Sequence, residues 1–87
     1  MARTFSSDVR RVFENLIDRM NEMGMDTSRT YLTISRDGGA GGPFIEVGNL
    51  PAGIGTFQTR GTRNAYDALR FAASVLYAVQ KHARAGS

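Results

Sequence analysis

The stretch RNAYDALRFAASVLYAVQKHAR, residues 63–84, decides the fold. At about 100° per residue, Ala65, Ala68, Leu69, Ala72, Val75, Leu76, Val79 and Ala83 gather on one side. Arg63, Asp67, Arg70, Ser74, Tyr77, Lys81 and Arg84 gather on the other. An alanine-rich apolar side lets a helix lie close against a sheet. The opposite side is a basic ladder with one acid in it, so a single helix spanning about residues 63–84 supplies both a packing surface and a contact surface.

Upstream of it the pattern changes to alternation. Leu32 and Ile34 fall on one side of a segment at 30–36, with Tyr31, Thr33 and Ser35 on the other. That is a half-buried strand. Asp37-Gly38-Gly39-Ala40-Gly41-Gly42-Pro43 breaks it, and a second strand at 43–48 places Ile45 and Val47 on one face. Gly48 to Gly53 read as a turn before a third strand at 54–60. Connections this short require antiparallel neighbours. At the start of the chain, Ser6, Ser7 and Asp8 are N-cap residue types. Val9, Val12, Phe13, Leu16, Ile17 and Met20 then follow at helical spacing up to Gly24, a residue suited to the C′ position. This predicts a helix at 7–23, with Arg10–Glu14 and Arg19–Glu22 as surface pairs and Met20, Met23 and Met25 as gap-filling side chains.

The order is therefore α-β-β-β-α, an α+β fold in one domain covering residues 1–87. Both apolar helix stripes are expected on the single apolar face of a three-stranded antiparallel sheet. The predicted core joins Phe13, Leu16, Ile17, Leu32, Ile34, Leu69, Ala72 and Leu76. Tyr31, Thr33, Ser35, Glu46 and Gln58 are expected to line the open face.

The chain has no cysteine, so packing alone must hold it. No leader pattern and no stretch long and apolar enough to span a bilayer is evident, which predicts a soluble, cytoplasmic protein without membrane contact. Lys plus Arg number 11 against 8 for Asp plus Glu, a net charge of +3. The positive field belongs to the last third, where Arg60, Arg63, Arg70, Lys81 and Arg84 stand against Asp67 alone. Residues 8–22 are slightly acidic, and ten of the eleven cations are arginine, the side chain suited to bidentate phosphate or carboxylate contact.

Catalytic signals are missing. His82 is the sole histidine and has no cysteine or compact carboxylate cluster to complete a metal site. The glycine loop is followed by neither Gly-Lys-Ser/Thr nor a helix, so it fits no nucleotide fingerprint. It reads instead as a mobile hairpin tip whose Gly38, Gly39, Gly41 and Gly42 would offer backbone contacts. No catalytic residue, metal, cofactor or small-molecule substrate is expected. The start of the last helix is different: Thr59-Arg60-Gly61-Thr62-Arg63-Asn64 sets two arginines, hydroxyls and an amide beside free helix N–H groups. Thr62 also suits the N-cap. The predicted contact set is Arg60, Thr62, Arg63, Asn64, Arg70, Lys81 and Arg84, with Asp67 positioned to pair internally with one arginine.

The element order, and the passage of the third strand through Gly61-Thr62-Arg63-Asn64-Ala65 into an alanine-rich helix, resembles the double-stranded RNA-binding domain. That family holds phosphates with a basic cluster at the start of its second helix. It reaches successive minor grooves with its first helix and its first hairpin loop. The resemblance implies phosphate contact by Arg60, Arg63 and Asn64, and minor-groove contact by Arg11, Asn15 and Arg19 or Glu22 and by Gly38 to Pro43. The family's lysine cluster is here reduced to Arg63 with Arg60 behind it, and Tyr66 and Asp67 follow. The expected function is a small non-catalytic module contacting nucleic acid, either duplex RNA or a phosphate backbone. The alternative is a protein-interaction factor, of the type phages and mobile elements encode, that uses the same arginines on an acidic or nucleic-acid-binding protein surface and inhibits a host machine.

Overall fold

A computed structural model describes residues 4–36, 41–51 and 53–85, with the side chains of the final helix described as far as Lys81. Its elements are α1 (Ser6–Glu22), β1 (Tyr31–Ser35), β2 (Phe44–Leu50), β3 (Gly55–Arg60) and α2 (Thr62–Ala85). The three strands form one antiparallel sheet in the order β1-β2-β3. Their register places Leu32, Val47 and Phe57 in one row and Ile34, Ile45 and Thr59 in the next. Both rows face the helices.

Val9, Leu16 and Met20 of α1 meet Ile45, Val47 and Leu50 of β2 and Ala65, Leu69, Ala72 and Leu76 of α2 in one buried cluster. Four of the expected core residues, Phe13, Ile17, Leu32 and Ile34, are only half-buried around it. They sit at the margins because the central strand and the middle of α2 occupy the deepest layer. Met20 is fully buried, and Met23 and Met25 pack against the core beside it, as expected of packing side chains.

The two helices run side by side in the same direction. Thr62, at the start of α2, donates its hydroxyl to the Thr4 carbonyl just ahead of α1 at 2.8 Å. The cap of α1 is Phe5 rather than Ser6, Ser7 or Asp8. The Asp8 carboxylate reaches back to the Phe5 N–H at 2.8 Å, while the Phe5 carbonyl accepts from the Asp8 N–H at 3.0 Å. At the other end Met25 N–H bonds the Met20 carbonyl and Gly24 N–H bonds Asn21, with Gly24 at φ +79°. This is the Schellman arrangement its position in the sequence predicts.

The expected turn at 48–53 is shorter than its composition suggests, because β2 continues to Leu50 through a bulge. Asn49 takes φ +57°, and the register with β3 shifts between Val47 and Leu50. Side chains satisfy the displaced backbone. Thr56 Oγ1 accepts the Asn49 N–H at 3.0 Å, Thr30 Oγ1 donates to the Asn49 carbonyl at 2.9 Å, and the Asn49 amide donates to the Arg29 carbonyl at 3.1 Å. Neither Arg10–Glu14 nor Arg19–Glu22 closes to an ion pair.

The Thr59 hydroxyl is buried on the core side of β3 with no hydrogen-bond partner among the described residues. A hydroxyl in that state costs about 1–3 kcal/mol of desolvation. Thr59→Val keeps the β-branched shape and removes the unmet polar atom. It is expected to raise the melting temperature by about 4–8 °C, equivalent to about 1 kcal/mol in a domain this size. A melting temperature equal to or below the parent's would show that the hydroxyl is satisfied.

Candidate nucleic-acid interface

Because α1 and α2 run parallel, their facing polar flanks form the walls of one long groove. Arg11, Asn15 and Arg19 of α1, spaced one turn apart, oppose Tyr66, Arg70, Ser74 and Tyr77 of α2 across a volume of about 590 Å³. Arg70 lies 5.8 Å above the Tyr66 ring and directs a guanidinium N–H toward its hydroxyl at 3.4 Å. This stacking holds the arginine over the groove instead of letting it sweep through solvent. Tyr77 is 55 % exposed, so its ring is open to a flat ligand group. Asp8 is the acid in the groove, and its carboxylate is already engaged with the Phe5 N–H.

A second depression, of about 670 Å³, lies where the two helix starts converge. Its walls include Ser6 from α1, Gly41 and Gly42 from the hairpin connection, and Arg60, Thr62, Arg63 and Asn64. Two helix N-termini, each the positive end of a macrodipole, meet here beside two arginines. The floor depends on Gly61. Its φ of +93° turns the chain from β3 into α2, and its N–H bonds the Pro43 carbonyl at 2.8 Å. A side chain on Gly42 would come within 3.1 Å of the Gly61 backbone, so the two segments pack as close as glycines allow.

The sequence-predicted residues divide accordingly. Arg60, Thr62, Arg63 and Asn64 share the end depression, but two of their polar groups have structural duties. Thr62 follows Gly61, whose carbonyl accepts from Ala65, so Gly61 takes the cap position expected of Thr62, and the Thr62 hydroxyl ties the helix to Thr4. Asn64 donates to the Arg60 carbonyl at 2.8 Å. Arg63 pairs with Asp67 at 3.3 Å, with both side chains more than half exposed. Such an (i, i+4) pair is worth roughly 0.2–0.5 kcal/mol and yields to a phosphate. Arg70 sits in the groove between the helices. Lys81 is exposed farther along the same side of α2. The Arg84 side chain, Gly38 and Gly39 lie outside the described residues; of the loop expected to be mobile, Gly38 to Pro43, residues 38–40 fall outside them, and Gly41 and Gly42 pack against Arg60 and Gly61.

Tyr66 and Tyr77 are the groove residues that helix periodicity did not single out as contacts. Their signal is the run Tyr66, Arg70, Ser74, Tyr77 at turn spacing, which gains meaning only when a second helix with arginines at the same spacing lies alongside. Of the minor-groove positions implied by the family resemblance, Arg11, Asn15 and Arg19 line the groove, and Glu22 does not.

The open face of the sheet has a different character. The Tyr31 ring lies against Gly48, in the space that a Cβ there would need. Its hydroxyl donates to Glu46 at 2.5 Å, and Gln58 donates to the other carboxylate oxygen at 2.5 Å. The hydrogen bond from Tyr31, followed by that from Gln58, holds the Glu46 carboxyl below the usual carboxylate range. An ionised acid at the centre of this face disfavours a phosphate there. Among the described residues, no cluster of His, Cys, Asp or Glu is arranged to hold a metal ion, and no helix is long and apolar enough to cross a membrane. Compared with family models, curated proteins and solved structures, the chain matches none.

Proposed function

We propose that the protein is a non-catalytic nucleic-acid-binding module that grips a phosphate backbone, with duplex RNA as its ligand class. The observation that carries this reading is the alignment of two parallel helices. It sets Arg11, Arg19 and Arg70 along one groove, while Arg60 and Arg63 line a second depression at the helix starts. The α-β-β-β-α order with both helices on one sheet face is the topology of the double-stranded RNA-binding domain, which adds support for a duplex. Backbone contact needs no base-reading side chains, in keeping with a groove made mostly of guanidinium, hydroxyl and amide groups.

The test is a salt series of binding to a duplex RNA of about 16 base pairs, the span such domains cover, with duplex DNA and single-stranded RNA in parallel. If the five arginines reach phosphates, the slope of log K against log salt is about −4.5. Affinity then falls roughly 500-fold between 50 and 200 mM salt. Preference for duplex RNA over duplex DNA is the expected order, since 2′-hydroxyls mark the wide minor groove of the A-form helix. No binding to any of the three at 50 mM salt would reject the reading and assign the same arginines to an acidic protein surface.

A further inference from the structure

Phosphate contact accounts for the rim of the groove between the helices but not for its floor. Arg11, Asn15, Arg19 and Arg70 stand exposed along the rim, while buried Leu16 and half-buried Val12 and Ala73 line the bottom. A phosphate keeps its water and gains nothing from an apolar bed, whereas a flat heteroaromatic ring gains by burying its faces. The groove volume of about 590 Å³ falls in the range of sites that hold small organic groups, about 300–1,000 Å³. The three tyrosines of the chain divide by duty. Tyr31 lies against Gly48 and donates to Glu46, and Tyr66 carries the Arg70 guanidinium 5.8 Å from its ring centroid. Tyr77 lines the groove and, among the described residues, makes no hydrogen bond or ring contact of its own. Its neighbour Ser74 is committed, donating its hydroxyl to the Arg70 carbonyl at 3.1 Å.

We infer, building on the nucleic-acid reading above, that the groove holds one unpaired base, so that the ligand is a duplex RNA interrupted by an unpaired nucleotide. The base lies against the Tyr77 ring over the apolar floor, and the phosphates flanking it meet Arg11, Arg19 and Arg70. The lining selects this occupant. An open aromatic ring and a guanidinium plane both stack on a base of any identity. Cations on both walls above an apolar floor match a flat group with apolar faces and an anion on either side, which is a nucleotide within a strand. A hydrophobic peptide would leave the guanidinium groups unmatched, and an acidic peptide would leave the floor uncovered. A paired base keeps both faces inside the helical stack and offers the groove only its edge, so the site requires an unpaired one. Stacking reads no base edge, and the groove therefore adds a preference for an interrupted duplex without a preference for sequence.

The full chain is titrated at one salt concentration with two duplex RNAs of about 16 base pairs, one continuous and one carrying a single unpaired thiouridine at its middle. The expected result is about tenfold tighter binding to the interrupted duplex, the scale of one base–aromatic stack, with the photocrosslink from the thiouridine mapping to Tyr77. Tyr77→Phe, which retains the ring, should keep the preference. Tyr77→Ala should bring the ratio of the two affinities to about one, with the melting temperature of the parent, because the side chain is mostly outside the core. Equal binding of both duplexes by the parent, a preference that survives in Tyr77→Ala, or a crosslink confined to other elements overturns the inference while the phosphate-gripping reading stands. So does a free nucleoside monophosphate that binds the groove as tightly as the interrupted duplex, since the occupant is then a soluble nucleotide. Failure to bind either duplex at low salt overturns both.

Discussion

Leu76→Ala is expected to destabilise the protein by about 2–5 kcal/mol, the range for removing a fully enclosed leucine and leaving part of its volume empty. Leu76 has no exposed surface and belongs to the cluster that joins both helices to the central strand. Domains of this size have about 5–15 kcal/mol in total, so the variant retains a fraction of the parent's stability and melts far below it. The informative comparison is Phe71→Ala on the same helix. Phe71 is larger but 72 % exposed, and its truncation is expected to change stability by no more than about 0.5 kcal/mol. Urea unfolding of the two variants measures the difference. Equal effects would mean that α2 sits on the sheet by a different face.

The architecture was legible because each element announces its own period. Leu69, Ala72 and Leu76 keep helical spacing, and Leu32 and Ile34 alternate as a strand does. The loops between strands are too short for any but antiparallel pairing. Gly24 closes α1 as its position predicts. What escaped the sequence has identifiable causes. Gly48-Asn49-Leu50-Pro51 has the composition of a turn, yet β2 runs on to Leu50 because Thr30, Thr56 and the Asn49 side chain meet the bulge's backbone groups. Those partners lie seven to twenty residues away, beyond the reach of local propensity. The two-sided reading of α2 also proved too coarse. A helix on a three-stranded sheet beside another helix has a core side, a side facing its neighbour and a free flank, and Phe71 and Val79 fall on the flank.

The candidate site divides in the same way. The helix start could be read directly, since Arg60, Arg63 and the free N–H groups are neighbours in the chain. The groove between the helices joins residues more than forty positions apart, and periodicity alone gives Arg11 and Arg19 no partner. Only the parallel alignment of α1 and α2 places them opposite Arg70 and Tyr77. The open sheet face contributes by exclusion, because an ionised Glu46 held by Tyr31 and Gln58 disfavours a polyanion there.

That division sets the last expected result. Replacing Arg11, Arg19 and Arg70 together with alanine should weaken duplex RNA binding by about 150-fold at 0.15 M salt. Each lost phosphate contact removes about 0.9 of a released counterion, which at this ionic strength is worth about 1 kcal/mol. The slope of log K against log salt should flatten by about 2.7. Arg60→Ala with Arg63→Ala should cost at least about tenfold, because two cations are lost and Asp67, freed from its pair with Arg63, is left as an uncompensated negative charge beside the helix start. All five side chains are exposed, so the folded state should survive both sets of changes, as circular dichroism and thermal melting would confirm. The comparison locates the ligand. If the triple variant loses affinity and slope together, the nucleic acid lies along the helices. If the loss is confined to the Arg60/Arg63 pair, the contact is limited to the helix starts. If both variants bind like the parent, the arginines form a solvated surface and the nucleic-acid reading fails.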